Sequence, residues 1–108
     1  MNPILDQPLL LDKSVDETAS VGVDTSKYVE LTHHVSWKVG VTAGEVQIET
    51  ADDPLYAGTW AVVATVTFVG TAPLQQYART QGAYKAMRHR INTAVAGGVV
   101  STKITGAA

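Results

Sequence analysis

Three histidines, His33, His34 and His89, are the side chains in this sequence best suited to move protons or hold a metal. His33 and His34 are adjacent, so on a strand they point to opposite sides and do not converge on one ion. His89 stands alone at a position expected to face inward, and all three read as structural residues. Asp52-Asp53-Pro54 brings two carboxylates together but lacks the spaced acidic loop of a calcium site, and reads as a turn capped by its own aspartates. Glu45 and Glu49 fall on the expected solvent face of one strand, a hydrated setting that gives neither of them acid-base character. No serine or threonine sits in a nucleophile elbow, and no carboxylate follows Asp53 to orient a triad. Gly97-Gly98 lacks the Lys-Ser/Thr of a phosphate loop. Without cysteine there is no thiolate nucleophile, no disulfide and no thiolate metal site. Neither an enzyme nor a cofactor is expected.

Lys85, Arg88 and Arg90 lie close together in sequence with Tyr77 and Tyr84 nearby, a combination that can hold single-stranded nucleic acid. The net charge of −2 lacks the basic surplus such binders carry, so nucleic acid is not an expected partner. The distribution of charge says more. All ten acidic residues precede Pro54 and meet only three bases there, giving −7, whereas the five later bases, Arg79, Lys85, Arg88, Arg90 and Lys103, meet no acid and give +5. Two outcomes are open. The halves could form oppositely charged faces that attract a neighbour through Glu45, Glu49, Asp52, Asp53, Arg79, Lys85, Arg88 and Arg90. Alternatively, strands from the two halves interleave in one sandwich and the charges neutralise within the monomer.

The elements that would position these residues are strands. At 108 residues the chain is large enough for one modest core. Residues 1–27, with Pro3, Pro8 and scattered aspartates, show no sustained period and read as an extended N-terminal arm. Ile4, Leu5, Leu9, Leu10 and Leu11 are its apolar patch, expected to dock on the domain or on a neighbouring subunit. Thr18 to Val23 could add an edge strand. The beginning of the chain does not read as a signal peptide, and the Trp60 to Val69 run is too short for a membrane helix. From Tyr28 onward, Val35, Trp37, Val39 and Val41 alternate with small or polar residues, and Val46 and Ile48 alternate with Glu45, Gln47 and Glu49. Trp60, Val62, Ala64, Val66 and Phe68 form another apolar file; Leu74 to Arg79 reads as an exposed strand. Met87, His89 and Ile91 share one face opposite Arg88 and Arg90. Gly97-Gly98 predicts a hairpin before Val99 to Thr105. Seven or eight short strands over 28–108 predict an all-β, antiparallel β-sandwich, jelly-roll-like, with Trp37, Val46, Ile48, Trp60, Val62, Val66, Phe68, Met87, Ile91, Val100 and Ile104 as its core.

The run from Gly44 to Trp60, then Val62 to Phe68, Tyr84 to Ile91 and Gly98 to Ile104, resembles small jelly-roll proteins of tailed-phage particles: capsid cement or decoration proteins and neck or collar pieces. That resemblance implies a non-catalytic virion protein, made in the host cytoplasm, that forms a dimer or trimer and clamps the major capsid protein or another virion protein. The same strand texture occurs in galactose-binding-like modules, which makes a carbohydrate-binding sandwich the alternative, with Tyr56, Trp60 and Tyr84 as its aromatic platform.

Overall fold

The structure, a computed structural model, describes residues 4–107; Met1, Asn2 and Pro3 of the expected arm and Ala108 lie outside the described residues. The described chain holds β1 (Ile4–Pro8), β2 (Val23–Asp24), β3 (Glu30–Trp37), β4 (Ala43–Ala51), β5 (Ala61–Thr67), β6 (Leu74–Gln81), β7 (Ala86–Ala96) and β8 (Val100–Ala107). They form two four-stranded antiparallel sheets, sheet A in the order β1-β8-β3-β6 and sheet B in the order β2-β7-β4-β5. β1 pairs with β8, β2 with β7, β3 with β6 and β4 with β5, the winding of a jelly roll. The remaining ladders, β3 with β8 and β4 with β7, join the four pairs into sheets. Every ladder therefore joins a strand that precedes Asp52 to one that follows Trp60.

The inner faces follow from alternation. Leu31, Val35 and Trp37 of β3, Val100 and Ile104 of β8, Val46 and Ile48 of β4, and Met87, Ile91 and Val95 of β7 interdigitate as the core. Phe68 is partly buried and meets the Trp37 ring edge-on at 5.5 Å. Two expected core positions differ. Val62 is 50 % exposed because the β4–β5 register shifts between Ile48 and Glu49, which places Val62 opposite outward-facing Glu49. Trp60 is buried, but outside the apolar core, on the outer side of sheet B. The alternation expected through Val39 also stops early: β3 ends at Trp37, and Val39 lies exposed in the following turn. That turn packs on the β7–β8 hairpin. A Cβ on Gly40 would meet the Gly97 carbonyl oxygen at 2.6 Å, and one on Gly97 would meet that of Gly40 at 2.2 Å; both residues have positive φ.

Residues 4–27 run along one flank of both sheets. After β1, Leu9 and Lys13 donate to carbonyls of β8; the chain then crosses to sheet B, where Ser14, Thr18 and Ser20 bond to β7 before β2 begins. Leu10 enters the core at 2 % exposure, with Leu5 and Leu9 packed against it; Ile4 and Leu11 point to solvent. Gly22 passes so close to the β4–β5 loop that a Cβ would lie 2.2 Å from the Pro54 oxygen.

Candidate assembly surface

β4 sends Val46 and Ile48 inward and Glu45, Gln47 and Glu49 outward, while β7 sends Met87, His89 and Ile91 inward and Arg88 and Arg90 outward. Their register sets Glu49 opposite Arg88 and Gln47 opposite Arg90. Each Glu49 oxygen takes one guanidinium: Arg88 Nε at 2.8 Å and Arg90 Nε at 2.9 Å. Arg90 also donates to Gln47 Oε1 at 2.7 Å and to Glu17 Oε2 at 2.9 Å; Glu49 foremost, and then Glu17, raise its pKa. Arg88 lies over the Trp60 ring, 4.6 Å from its centroid. The expectation that Glu49 is solvent-exposed is corrected: two guanidinium groups enclose it, and it is buried. Glu45 is held as a carboxylate below its usual range by hydrogen bonds from Asn92 and Thr67.

The other residues expected at an electrostatic interface are dispersed. Arg79 faces Glu30 at 3.5 Å across β6 and β3, both largely exposed. Asp53 caps the β4–β5 loop by accepting from the Leu55 N–H at 2.8 Å; Asp52 and Lys85 are exposed. The described ion pairs, Asp6–Lys103, Glu17–Arg90, Glu30–Arg79, Glu49–Arg88 and Glu49–Arg90, all join an acid of the first half to a base of the second. These contacts neutralise part of the charge split within the monomer. In the basic cluster considered for nucleic acid, Arg88 and Arg90 are both engaged by Glu49, and Tyr77 belongs to the other sheet.

Tyr56 and Tyr84 do come together. They line a groove of about 450 Å³ with Thr50, Asp52, Thr59 and Lys85. Trp60 is not part of that groove. It is 4 % exposed, its indole N–H donates to the Tyr56 carbonyl at 2.9 Å, and Arg88 covers its ring, so it lacks the free face a sugar platform requires. Trp37 is likewise buried. Acrylamide is therefore expected to quench the native fluorescence several-fold less than that of the urea-unfolded chain, for the wild type and for Trp60→Phe alike. Strong native quenching lost in Trp60→Phe would place Trp60 at the surface and contradict this geometry.

A second polar cluster bridges the two sheets inside the core. His33 Nδ1 lies 2.8 Å from His89 Nε2, His33 Nε2 lies 2.9 Å from Thr80 Oγ1, and His89 Nδ1 lies 2.8 Å from Thr102 Oγ1. The Leu10 N–H donates to Thr102 Oγ1 at 3.1 Å, and the Thr80 hydroxyl donates to Met87 Sδ at 3.9 Å. One direction of donation satisfies every hydrogen: Thr102 O–H to His89 Nδ1, His89 Nε2–H to His33 Nδ1, and His33 Nε2–H to Thr80 Oγ1. In that arrangement both rings are neutral. Burial, followed by the charge on His34, lowers the His33 pKa to about 4, and burial drives His89 well below its ordinary value. Among the described residues no three His, Asp or Glu side chains gather around a metal-sized space. Sequence reasoning treated these histidines singly and missed the pair. The available signal was Thr80 and Thr102 at inward-facing positions alongside His33 and His89, four polar residues needing partners in one core.

No protein-family model and no curated protein matches the chain. The fold is similar to the crystal structure of the SPBc2 prophage-derived protein YomS, with a TM-score of 0.72 and 12 % identity over 100 % of this chain and 96 % of that one. It is also similar to a chain of the Bacillus endospore appendages, described as disulfide-linked pili, with a TM-score of 0.52 and 14 % identity over 99 % and 90 % of the two chains. At these identities the likeness is one of fold.

Proposed function

We propose that this chain is a non-catalytic structural protein of a tailed-phage particle, a cement protein that binds the assembled lattice of the major capsid protein. The observation that carries the reading is the end-to-end likeness of its jelly roll to a prophage-derived protein. The pilus chain of the same fold adds that such a sandwich can serve as a building block. This chain has no cysteine for disulfide links, so its own assembly relies on non-covalent surfaces. The outer face of sheet A supplies one. His34, Ser36, Gln75, Tyr77 and Lys103 line a shallow depression of about 430 Å³ there, an amphipathic, hydrogen-bonding surface suited to a protein partner. Ile4 and Leu11, the arm residues left exposed, add apolar contacts to a neighbour.

Stabilisation follows from mass action: a protein that binds the lattice and not its dissociated subunits adds about 2.7 kcal/mol per site at a hundredfold excess over Kd. The test is co-sedimentation with capsids assembled without this protein. Saturable binding at a fixed stoichiometry, with a raised melting temperature of the capsid, is expected. Binding to isolated necks or tails but not to capsids would reassign it within the particle, and failure to bind any of them would remove the virion reading.

A further inference from the structure

The two flanks of the sandwich are built differently. The flank formed by residues 4–24 carries Asp6, Asp12, Lys13, Asp16, Glu17 and Asp24, charges of the kind that guard a sheet edge. The opposite flank ends in β5 and β6, and from Pro54 to Ala78 no residue is charged. β5 itself reads Ala-Val-Val-Ala-Thr-Val-Thr, with no proline and no charge. Among the described strands its ladder partner is β4 alone; on its other side β6 approaches without a backbone ladder, and Gln76 Nε2 donates to the Thr67 carbonyl at 3.0 Å. A β-branched, charge-free edge with an open row of backbone donors and acceptors lacks the usual protection against pairing.

We infer that the edge of β5 pairs antiparallel with β5 of a second copy across a twofold axis, making one continuous sheet from the two B sheets. The inference rests on the assembling-protein reading above and names its first partner. Charge selects the occupant. Pairing β5 with the β1–β2 flank of a neighbour would bury aspartates against a surface that offers no base. Pairing β5 with itself brings together two uncharged edges, and an isologous contact closes at the dimer. The register shift between Ile48 and Glu49 bends the strand near Val63, and Gln76 occupies the Thr67 carbonyl, so the twofold falls at Thr65 in the regular stretch Ala64–Val66. Exposed Val62 then lies at the rim of the contact.

The experiment is light scattering on the full chain over a dilution series, with Thr65→Lys and Val62→Lys on this flank and Val15→Lys on the other. All three sites are solvent-exposed, and circular dichroism verifies each fold. The wild type and Val15→Lys are expected to dimerise, with slowed amide exchange in Ala61–Thr67. Thr65→Lys sets two like charges at neighbouring cross-strand positions and should weaken the dimer about tenfold or more. Val62→Lys, at the rim, should act less. A wild type that stays monomeric, or a dimer indifferent to Thr65→Lys, overturns the inference. Capsid co-sedimentation by a monomer would leave the cement reading standing without this interface. A Thr65-sensitive dimer that binds no capsid would do the reverse.

Discussion

Lowering the pH from 7 to 4.5 is expected to shift urea unfolding of this protein to markedly lower denaturant, before most carboxylates titrate. The cause is the buried pair His33 and His89. His33 has an ordinary pKa of 6.5 and a folded value of about 4, so between these limits the unfolded chain binds a proton that the folded chain refuses. Stability from this group is complete above pH 6.5 and falls as pH drops through the window, by about 1.4 kcal/mol per unit and about 3 kcal/mol in all. His89 is lowered in the same direction and adds to the loss. A proton on His33 Nδ1 would face the His89 Nε2–H across 2.8 Å; one on His89 Nδ1 would displace the Thr102 hydroxyl from its acceptor. Asp24 and Glu45, whose pKa values are lowered by hydrogen bonds, lose their contribution only at lower pH, whereas His34, lowered by partial burial and then by Lys103, titrates in this window and accounts for the smaller fall left in the double variant. Tryptophan-monitored urea titrations at pH 7.5, 5.5 and 4.5 supply the check, with the double variant His33→Leu/His89→Leu as comparison. The wild-type midpoint should fall across the series and that of the double variant should fall much less. Equal wild-type midpoints at pH 7.5 and 4.5, or an undiminished loss in the double variant, would sink the account.

The charge split and the winding of the chain are two descriptions of one arrangement. In a jelly roll the first four strands return against the last four, so a chain acidic in its first half and basic in its second places opposite signs on adjacent strands at every ladder but β4–β5, where β5 is uncharged. The ion pairs occupy these junctions: Asp6 to Lys103 across β1 and β8, Glu30 to Arg79 across β3 and β6, Glu49 to Arg88 and Arg90 across β4 and β7. Sheets built from strands of a single half would have set like charges side by side. The segregation therefore favours this pairing of strands over others, a specificity effect, even where an exposed pair such as Glu30–Arg79 adds little stability.

What could be read before folding was local. The period of two in β7, with Met87, His89 and Ile91 opposite Arg88 and Arg90, is a property of neighbouring residues and appears unchanged in the structure. Val62 was misplaced because a register shift reverses the parity of the strand without altering its composition. Val39 was misplaced because a turn can continue an apolar alternation once the strand has ended. The His33–His89 contact joins positions 56 residues apart in different sheets, and Glu17–Arg90 joins positions 73 apart. Such contacts depend on which strands face each other, information carried by topology rather than by spacing. The burial of Glu49 escaped for the same reason: alternation assigns a side to a residue, but what covers that side comes from elsewhere in the chain.

Removing Glu49 is expected to be the most damaging change on the outer face of sheet B. Its side chain is 3 % exposed and answers two guanidinium groups that are themselves about four-fifths buried. Glu49→Ala would leave both arginines without their principal acceptor, and breaking a buried ion pair from one side typically costs about 3–5 kcal/mol. The lower end applies here, because Arg90 keeps Glu17 and Gln47 and both arginines can reach water. Glu49→Gln keeps the shape but turns an amide N–H toward one arginine, so it should recover little. By contrast, Glu30→Ala breaks a pair whose side chains are 71 % and 55 % exposed, and should move stability by less than about 0.5 kcal/mol. The damage should also be local in a recognisable way. Glu49 fixes Arg88 over Trp60 and Arg90 against Glu17, so its loss should alter Trp60 emission and speed amide exchange at Glu17, Thr18 and Ser20. Stability within about 1 kcal/mol of the wild type, with Trp60 emission unchanged, would mean that the arginines find water as good a partner as Glu49.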